Sequence, residues 1–159
     1  MGNAHMNIAP YEVLPLADGH FILAAGNDGQ FQRFCKVVGL EHLATDPDFA
    51  TNPARVVNRV RLREQMIAAL GPWTKAELLP KLDAAAVPAS PINNIAESFA
   101  DPQTIARGMR MDLDDGHGEK LPSVRAPMLL SETPIVYQRP SPRLGEHTAE
   151  ILAELEKKS

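Results

Sequence analysis

One carboxylate stands at a place where chemistry could occur. In Gly26-Asn27-Asp28-Gly29-Gln30 an apolar run ends, a polar loop follows, and a helical pattern begins at once. Asp28 thereby falls at a helix N-terminus, where the dipole and open amides favour an ionised carboxylate. Such a group can accept a hydrogen bond or a proton. No second proton carrier accompanies Asp28 in the sequence, and acids in a first helical turn also serve stability alone. Asp28 is the one catalytic candidate in the chain. The five histidines, His5, His20, His42, His117 and His147, lack paired ligand spacing, so no metal site is expected. His147, at a helix start, reads as a capping or docking contact. Cys35 is the only cysteine. It shares one helical face with Phe31, Phe34 and Val38, which marks it as core filling and not a nucleophile. A single thiol makes no internal disulfide, which fits a reducing cytoplasm. No GxGxxG, P-loop or GxSxG occurs, so phosphate-cradling and nucleophile-elbow chemistry are excluded.

The elements that must position Asp28 follow from local signals. Tyr11 to Leu16 and Phe21 to Ala25 flank Ala17-Asp18-Gly19, a hairpin signal. Asn27 caps the first helix, about Asp28 to Val38, with Gln30 as its reciprocal partner, and Gly39 closes it. A short turn at Glu41 to Ala44 follows. Asn52-Pro53 opens a second helix whose inner face is Val56, Val60, Ile67 and Leu70. Thr74 with Glu77 is a capping box that opens a third, with Leu78, Leu79, Leu82 and Ala85 inward. Val87 to Ile92 is extended because its prolines exclude helix. Asn94 with Glu97 caps a fourth helix, and Asp101-Pro102 begins a further turn ending at Gly108. Met109 to Leu113 alternates as a half-buried strand, turns at Asp115-Gly116-His117-Gly118, and pairs with Leu121 to Val124. A proline-rich connector leads to an amphipathic helix over Thr148 to Leu155. The fold class is therefore α+β: a small antiparallel sheet with several helices, then an extended linker and a C-terminal helix.

The chain has 159 residues, 44% of them hydrophobic, enough for one domain with a buried core. Its formal charge is −4 with no long basic run, which argues against a nucleic-acid surface. No apolar stretch is long enough to span a membrane, and no secretory signal is expected at the N-terminus.

Several short motifs recur in one order: Gly2-Asn3-Ala4-His5, Ala17-Asp18-Gly19, Ala25-Gly26-Asn27-Asp28-Gly29-Gln30-Phe31, Asp46-Pro47-Asp48-Phe49-Ala50-Thr51-Asn52, Val87-Pro88-Ala89-Ser90-Pro91-Ile92-Asn93, Ala100-Asp101-Pro102-Gln103, Ala106-Arg107-Gly108-Met109 and Leu144-Gly145-Glu146-His147-Thr148. Each is weak alone, but the ordered series is specific. Over essentially its whole length the chain resembles the C-terminal part of a class III coenzyme A transferase. That family includes formyl-CoA:oxalate CoA-transferase, carnitine CoA-transferase and α-methylacyl-CoA racemase.

The resemblance implies transfer of CoA between carboxylic acids through a covalent aspartyl-CoA thioester. It places the attacking aspartate in a large N-terminal domain that has no counterpart here, so no catalytic residue beyond the Asp28 candidate is expected. It implies an acyl-CoA and a carboxylic acid as partners, a CoA thioester as substrate, no covalently bound cofactor, and an interlocked homodimer in the full-length protein. Residues 1–125 correspond to the small domain, 126–144 to a return linker, and 145–159 to a helix that packs on the large domain. Gly2, Asn3, Ala4 and His5, continuing to Asn7, match a flexible loop over the reaction centre. Gly26, Asn27, Asp28, Gly29 and Gln30 match the stretch where the racemase branch carries a proton-moving glutamate, with Asp28 at that position. The shorter acid, in this glycine-rich context, favours the transferase branch. The alternatives are a fragment of a 2-methylacyl-CoA racemase and a non-catalytic module that binds CoA or a partner. The isolated chain is expected to be inactive.

Overall fold

The Ala17-Asp18 turn folds two apolar runs into a hairpin, with strand β1 at Tyr11–Leu16 and strand β2 at Gly19–Ala24. Their antiparallel register sets Leu14 opposite Phe21. Leu14 and Leu16 on β1 and Phe21 and Leu23 on β2 alternate with outward residues, and all four are buried. In this computed structural model, which describes residues 2–157, the chain divides into two units, one running through Asn93 and the other beginning at Asn94. The extended stretch at Val87 to Ile92 contributes strand β3, Ala89–Ile92, which pairs antiparallel with β2 to give the order β1-β2-β3. Pro15 and Pro91 both lie on outer strands, where a missing N–H disturbs no inner ladder.

Helices α1 (Asp28–Val38), α2 (Glu41–Thr45), α3 (Asn52–Val57), α4 (Arg59–Leu70) and α5 (Lys75–Ala84) complete the first unit. Phe31, Phe34 and Cys35 of α1 meet Leu62, Met66 and Leu70 of α4 and Leu78 and Leu82 of α5 in one apolar core with the sheet residues. The capping box at Thr74 forms as its sequence predicts, and Gly39 takes the left-handed conformation that ends α1.

The second helix departs from expectation in three ways. Its cap is Thr51, not Asn52, and it breaks at Asn58. The Asn58 amide side chain donates to the carbonyls of Ala54 and Asp48, each at 3.1 Å, which competes with helix continuation. The break resets the register, so Val60 is 71% exposed while Leu62 and Met66 turn inward with Leu70. Ahead of the break the inward residue is Arg55, not Val56.

In the second unit, helix α6 (Ile95–Ala100) carries the predicted Asn94–Glu97 capping box, and Asp101 caps helix α7 (Pro102–Ala106). Strands β4 (Arg110–Asp114) and β5 (Lys120–Val124) form a hairpin. At its tip, amides of Glu119 and His117 bond the Asp115 carboxylate and hold its pKa below the ordinary value. Helix α8 spans Thr148–Glu156. His147 precedes it without a side-chain cap bond, and its Nδ1 lies 3.8 Å from a Glu150 carboxylate oxygen. Among the described residues, every fully buried apolar side chain belongs to the first unit. The second unit leaves Ile95, Ile105, Leu129, Val136, Ile151 and Leu152 exposed.

Helix α5 ends in a closure that ordinarily uses glycine. Ala86 takes φ 51°, its amide donates to Asp83 O at 2.8 Å, and Val87 N donates to Leu82 O at 2.9 Å. An L side chain in the left-handed region costs about 1 kcal/mol. With glycine's extra unfolded-state freedom set against that relief, Ala86→Gly should raise stability by about 0.5 kcal/mol, read as an upward shift of the urea midpoint at unchanged slope. An unchanged or lower midpoint would show that Ala86 is not strained.

Candidate functional site

The loop from Gly26 to Gln30 is fixed at both ends. Asn27 has extended backbone, φ −148° and ψ 168°, and its Oδ1 accepts from Gln30 N at 2.9 Å. The return bond differs from the predicted capping box. Gln30 Oε1 accepts from Gly26 N at 2.7 Å, so the side chain staples the loop one residue earlier than Asn27. Gly29 lies in the first turn of α1.

Asp28 begins α1, and its Oδ1 accepts from Arg55 Nη2 at 2.7 Å. The two ends of this pair differ sharply: the Arg55 side chain is 0% exposed and that of Asp28 is 47% exposed. Arg55 Nε donates to Ala9 O at 2.6 Å, and Nη1 donates to Phe49 O at 2.9 Å. Its guanidinium carbon stands 4.4 Å from the centre of the Phe31 ring. A buried cation is tolerable only when its donors are satisfied. Here one carboxylate, two carbonyls and an aromatic face supply that environment.

The N-terminal segment is held by the first residues of β1. Gly2 takes φ 58°, a conformation that favours glycine. Asn3 Oδ1 accepts from Val13 N at 2.9 Å, and Ala4 links it to His5. His5 N donates to Tyr11 O at 2.9 Å, and the two rings stack with centroids 5.3 Å apart. The two predicted loop segments share no direct hydrogen bond among the described residues. Arg55 holds Ala9 O, two residues beyond the first segment, with one nitrogen and Asp28 of the second with another. Arg55 is the residue that sequence reasoning did not single out.

Chemically, Asp28 is a carboxylate with one oxygen committed to a guanidinium. It anchors a loop and can accept from a ligand on its exposed side. Cys35 is 0% exposed, and burial pushes its thiol from 9.0 up to about 12. A thiol so protonated is a poor nucleophile. Among the described residues, no three His, Cys, Asp or Glu side chains cluster closely enough to hold a metal ion. No helix among them is long and apolar enough to cross a membrane.

Comparison with known proteins places the chain in a family. The sequence matches the pattern of CoA-transferase family III over residues 1–148. It is 53% identical over 156 residues to a succinate–glutarate CoA-transferase of Agrobacterium fabrum, covering 98% of this chain and 39% of that protein. It is 35% identical to the human succinyl-CoA:glutarate CoA-transferase, covering 97% of this chain and 35% of that one. Among solved structures, a CAIB/BAIF family protein from Brucella suis superposes with a TM-score of 0.81 at 46% identity, covering 98% of this chain and 40% of its own. The chain thus spans about two-fifths of the length of the relatives it matches.

Two outcomes follow from the site geometry. Arg55→Leu leaves the buried Ala9 and Phe49 carbonyls without their donors, and should destabilise the chain by about 3 kcal/mol in denaturant unfolding. Val57→Ala, at an exposed position two residues away, should change it by less than about 0.5 kcal/mol. Equal effects would remove any special role for Arg55. Cys35 should resist alkylation at pH 8 in the folded chain and react at once in denaturant. Its raised pKa also means that stability is fully present below pH 9.0 and falls as pH rises toward about 12.

Proposed function

The chain belongs to CoA-transferase family III, and we propose that it is the small-domain end of an enzyme that moves coenzyme A between two dicarboxylic acids. Residues 1–125 would form the small domain, 126–144 the return linker, and 145–159 the helix that docks on a large domain. The observation that carries this is identity over nearly the whole chain to a protein named for exchange between succinate and glutarate.

In the proposed reaction an aspartate of the large domain attacks the acyl carbon of the donor thioester. A mixed anhydride forms and the CoA thiolate leaves. That thiolate attacks the aspartyl carbonyl, which gives an aspartyl-CoA thioester and frees the donor acid. The acceptor carboxylate then attacks the aspartyl-CoA carbonyl, which forms a second anhydride and releases CoA thiolate; that thiolate attacks the acceptor's own acyl carbon, giving the acceptor CoA thioester and the free aspartate. Four acyl substitutions, each with a good leaving group, replace one difficult exchange. The segments Gly2–Asn7 and Gly26–Gln30 would wall the space where this happens.

The Asp28–Arg55 pair supports transfer over racemisation. A base that collects an α-proton needs an available lone pair and freedom to reach the carbon. Asp28 has one oxygen held by a buried guanidinium. The homodimer and a cytoplasmic setting belong to the same proposal.

The full-length enzyme, incubated with succinyl-CoA and then hydroxylamine, should lose activity and carry a hydroxamate on one aspartate outside this segment. With glutarate present, CoA should appear on glutarate. No label, together with deuterium uptake at the α-carbon of a 2-methylacyl-CoA without an acceptor acid, would point to racemase chemistry instead. The isolated 159-residue chain should show no transfer, and robust turnover by it would contradict the proposal.

A further inference from the structure

Residues 5–9 are gripped along their main chain by one face of the α3–α4 pair. Asn52 Nδ2 donates to Asn7 O at 2.8 Å, and its Oδ1 accepts from Ala9 N at 3.0 Å. Arg55 Nε takes Ala9 O. Arg59 Nη1 donates to His5 O at 3.2 Å, and its Nη2 donates to Met6 O at 2.8 Å. Asn52 and Arg55 stand three apart on α3, and Arg59 opens α4 just past the break at Asn58. All five bonds go to backbone atoms, so the grip does not depend on which side chains residues 5–9 carry. The altered backbone at Asn58 (φ −97°, ψ 20°) lies between Arg55 and Arg59, and side chains from both sides of it reach residues 5–9.

We propose that Asn52 and Arg59 are positioning residues: with Arg55 they form a main-chain clamp that fixes the base of the loop over the reaction centre. This rests on the transferase assignment above. The clamp touches no reacting atom. It fixes the main chain of residues 5–9 and ties it to the Asp28 loop through the shared guanidinium. A loop held in register excludes water from a thioester intermediate, and a loosened one admits it.

The test uses the full-length enzyme with succinyl-CoA and glutarate. Arg59→Met keeps the aliphatic stem and removes the donors to His5 and Met6. Transfer should fall about tenfold. Hydrolysis of succinyl-CoA to free CoA should rise several-fold relative to transfer, with KM for succinyl-CoA unchanged within about twofold. Arg59→Lys, which keeps one donor, should fall between the two. Asn52→Ala should give the same shift in the hydrolysis-to-transfer ratio, and it keeps the proposal testable if Arg59→Met fails to fold. Val60→Ala, on an exposed part of the same turn, should behave as wild type. A wild-type hydrolysis-to-transfer ratio in folded Arg59→Met and Asn52→Ala enzymes that still form the aspartyl thioester would overturn the clamp alone. Absence of that thioester in the wild-type enzyme would instead overturn the transferase assignment.

Discussion

A guanidinium with no solvent exposure must have its donors answered from inside the protein, and for Arg55 the answers come from three separate stretches of chain. Asp28 lies at the start of α1, Ala9 precedes β1, and Phe49 lies in the loop before α3. An unpaired buried cation costs several kcal/mol, whereas a fully satisfied one is roughly neutral. Stability therefore depends on all three stretches being in place together. None of them can shift alone without leaving charge or carbonyl oxygen unpaired. The constraint explains why two loops that share no direct hydrogen bond keep a common geometry. It also explains the contrast in burial within one ion pair: the cation is a structural node, and the carboxylate is the end that faces outward.

Much of this architecture was legible locally. The Ala17-Asp18-Gly19 turn, the Asn27 cap, the Gly39 stop and the capping boxes at Thr74 and Asn94 are decided by residues within four positions of each other. Short-range signals suffice there because the competing conformations are also local. The failures share the opposite character. Arg55 sits between Ala54 and Val56 and looks like an ordinary helix-surface cation. Its burial is set by carbonyls 46 and 6 residues away. The apolar spacing of Val56 and Val60 implied a continuous inner face, and the Asn58 side chain defeated it by bonding back to Ala54 O. Gln30 reached Gly26 and not Asn27 because the loop folds tightly enough to bring the earlier amide within 2.7 Å. The extended stretch at Val87 to Ile92 was recognisable, but its pairing with β2 was not, since a partner strand about 70 positions earlier leaves no mark in a local window.

The candidate site shows a different division. Asp28 was singled out by loop position and helix dipole, and the structure gives it an anchoring partner that neither argument supplied. The assignment to a family came from an ordered series of weak motifs. No one of them encodes chemistry, but together they fix an architecture. The proposed architecture would also cover apolar side chains of the second unit. Ile95, Ile105, Leu129 and Val136 lie exposed.

The central claim is that one buried guanidinium welds the N-terminal segment to the Asp28 loop. Site-resolved amide hydrogen exchange of Arg55→Lys against the unaltered chain addresses it directly. A lysine ammonium can bond one or two of the three acceptors but cannot span all of them in the guanidinium's planar fork. The amides of His5 and Ala9 in one segment, and of Gly26 and Gln30 in the other, should lose protection together while the β1–β2 ladder keeps its own. Loss in only one segment, or a uniform loss across the first unit, would contradict the claim.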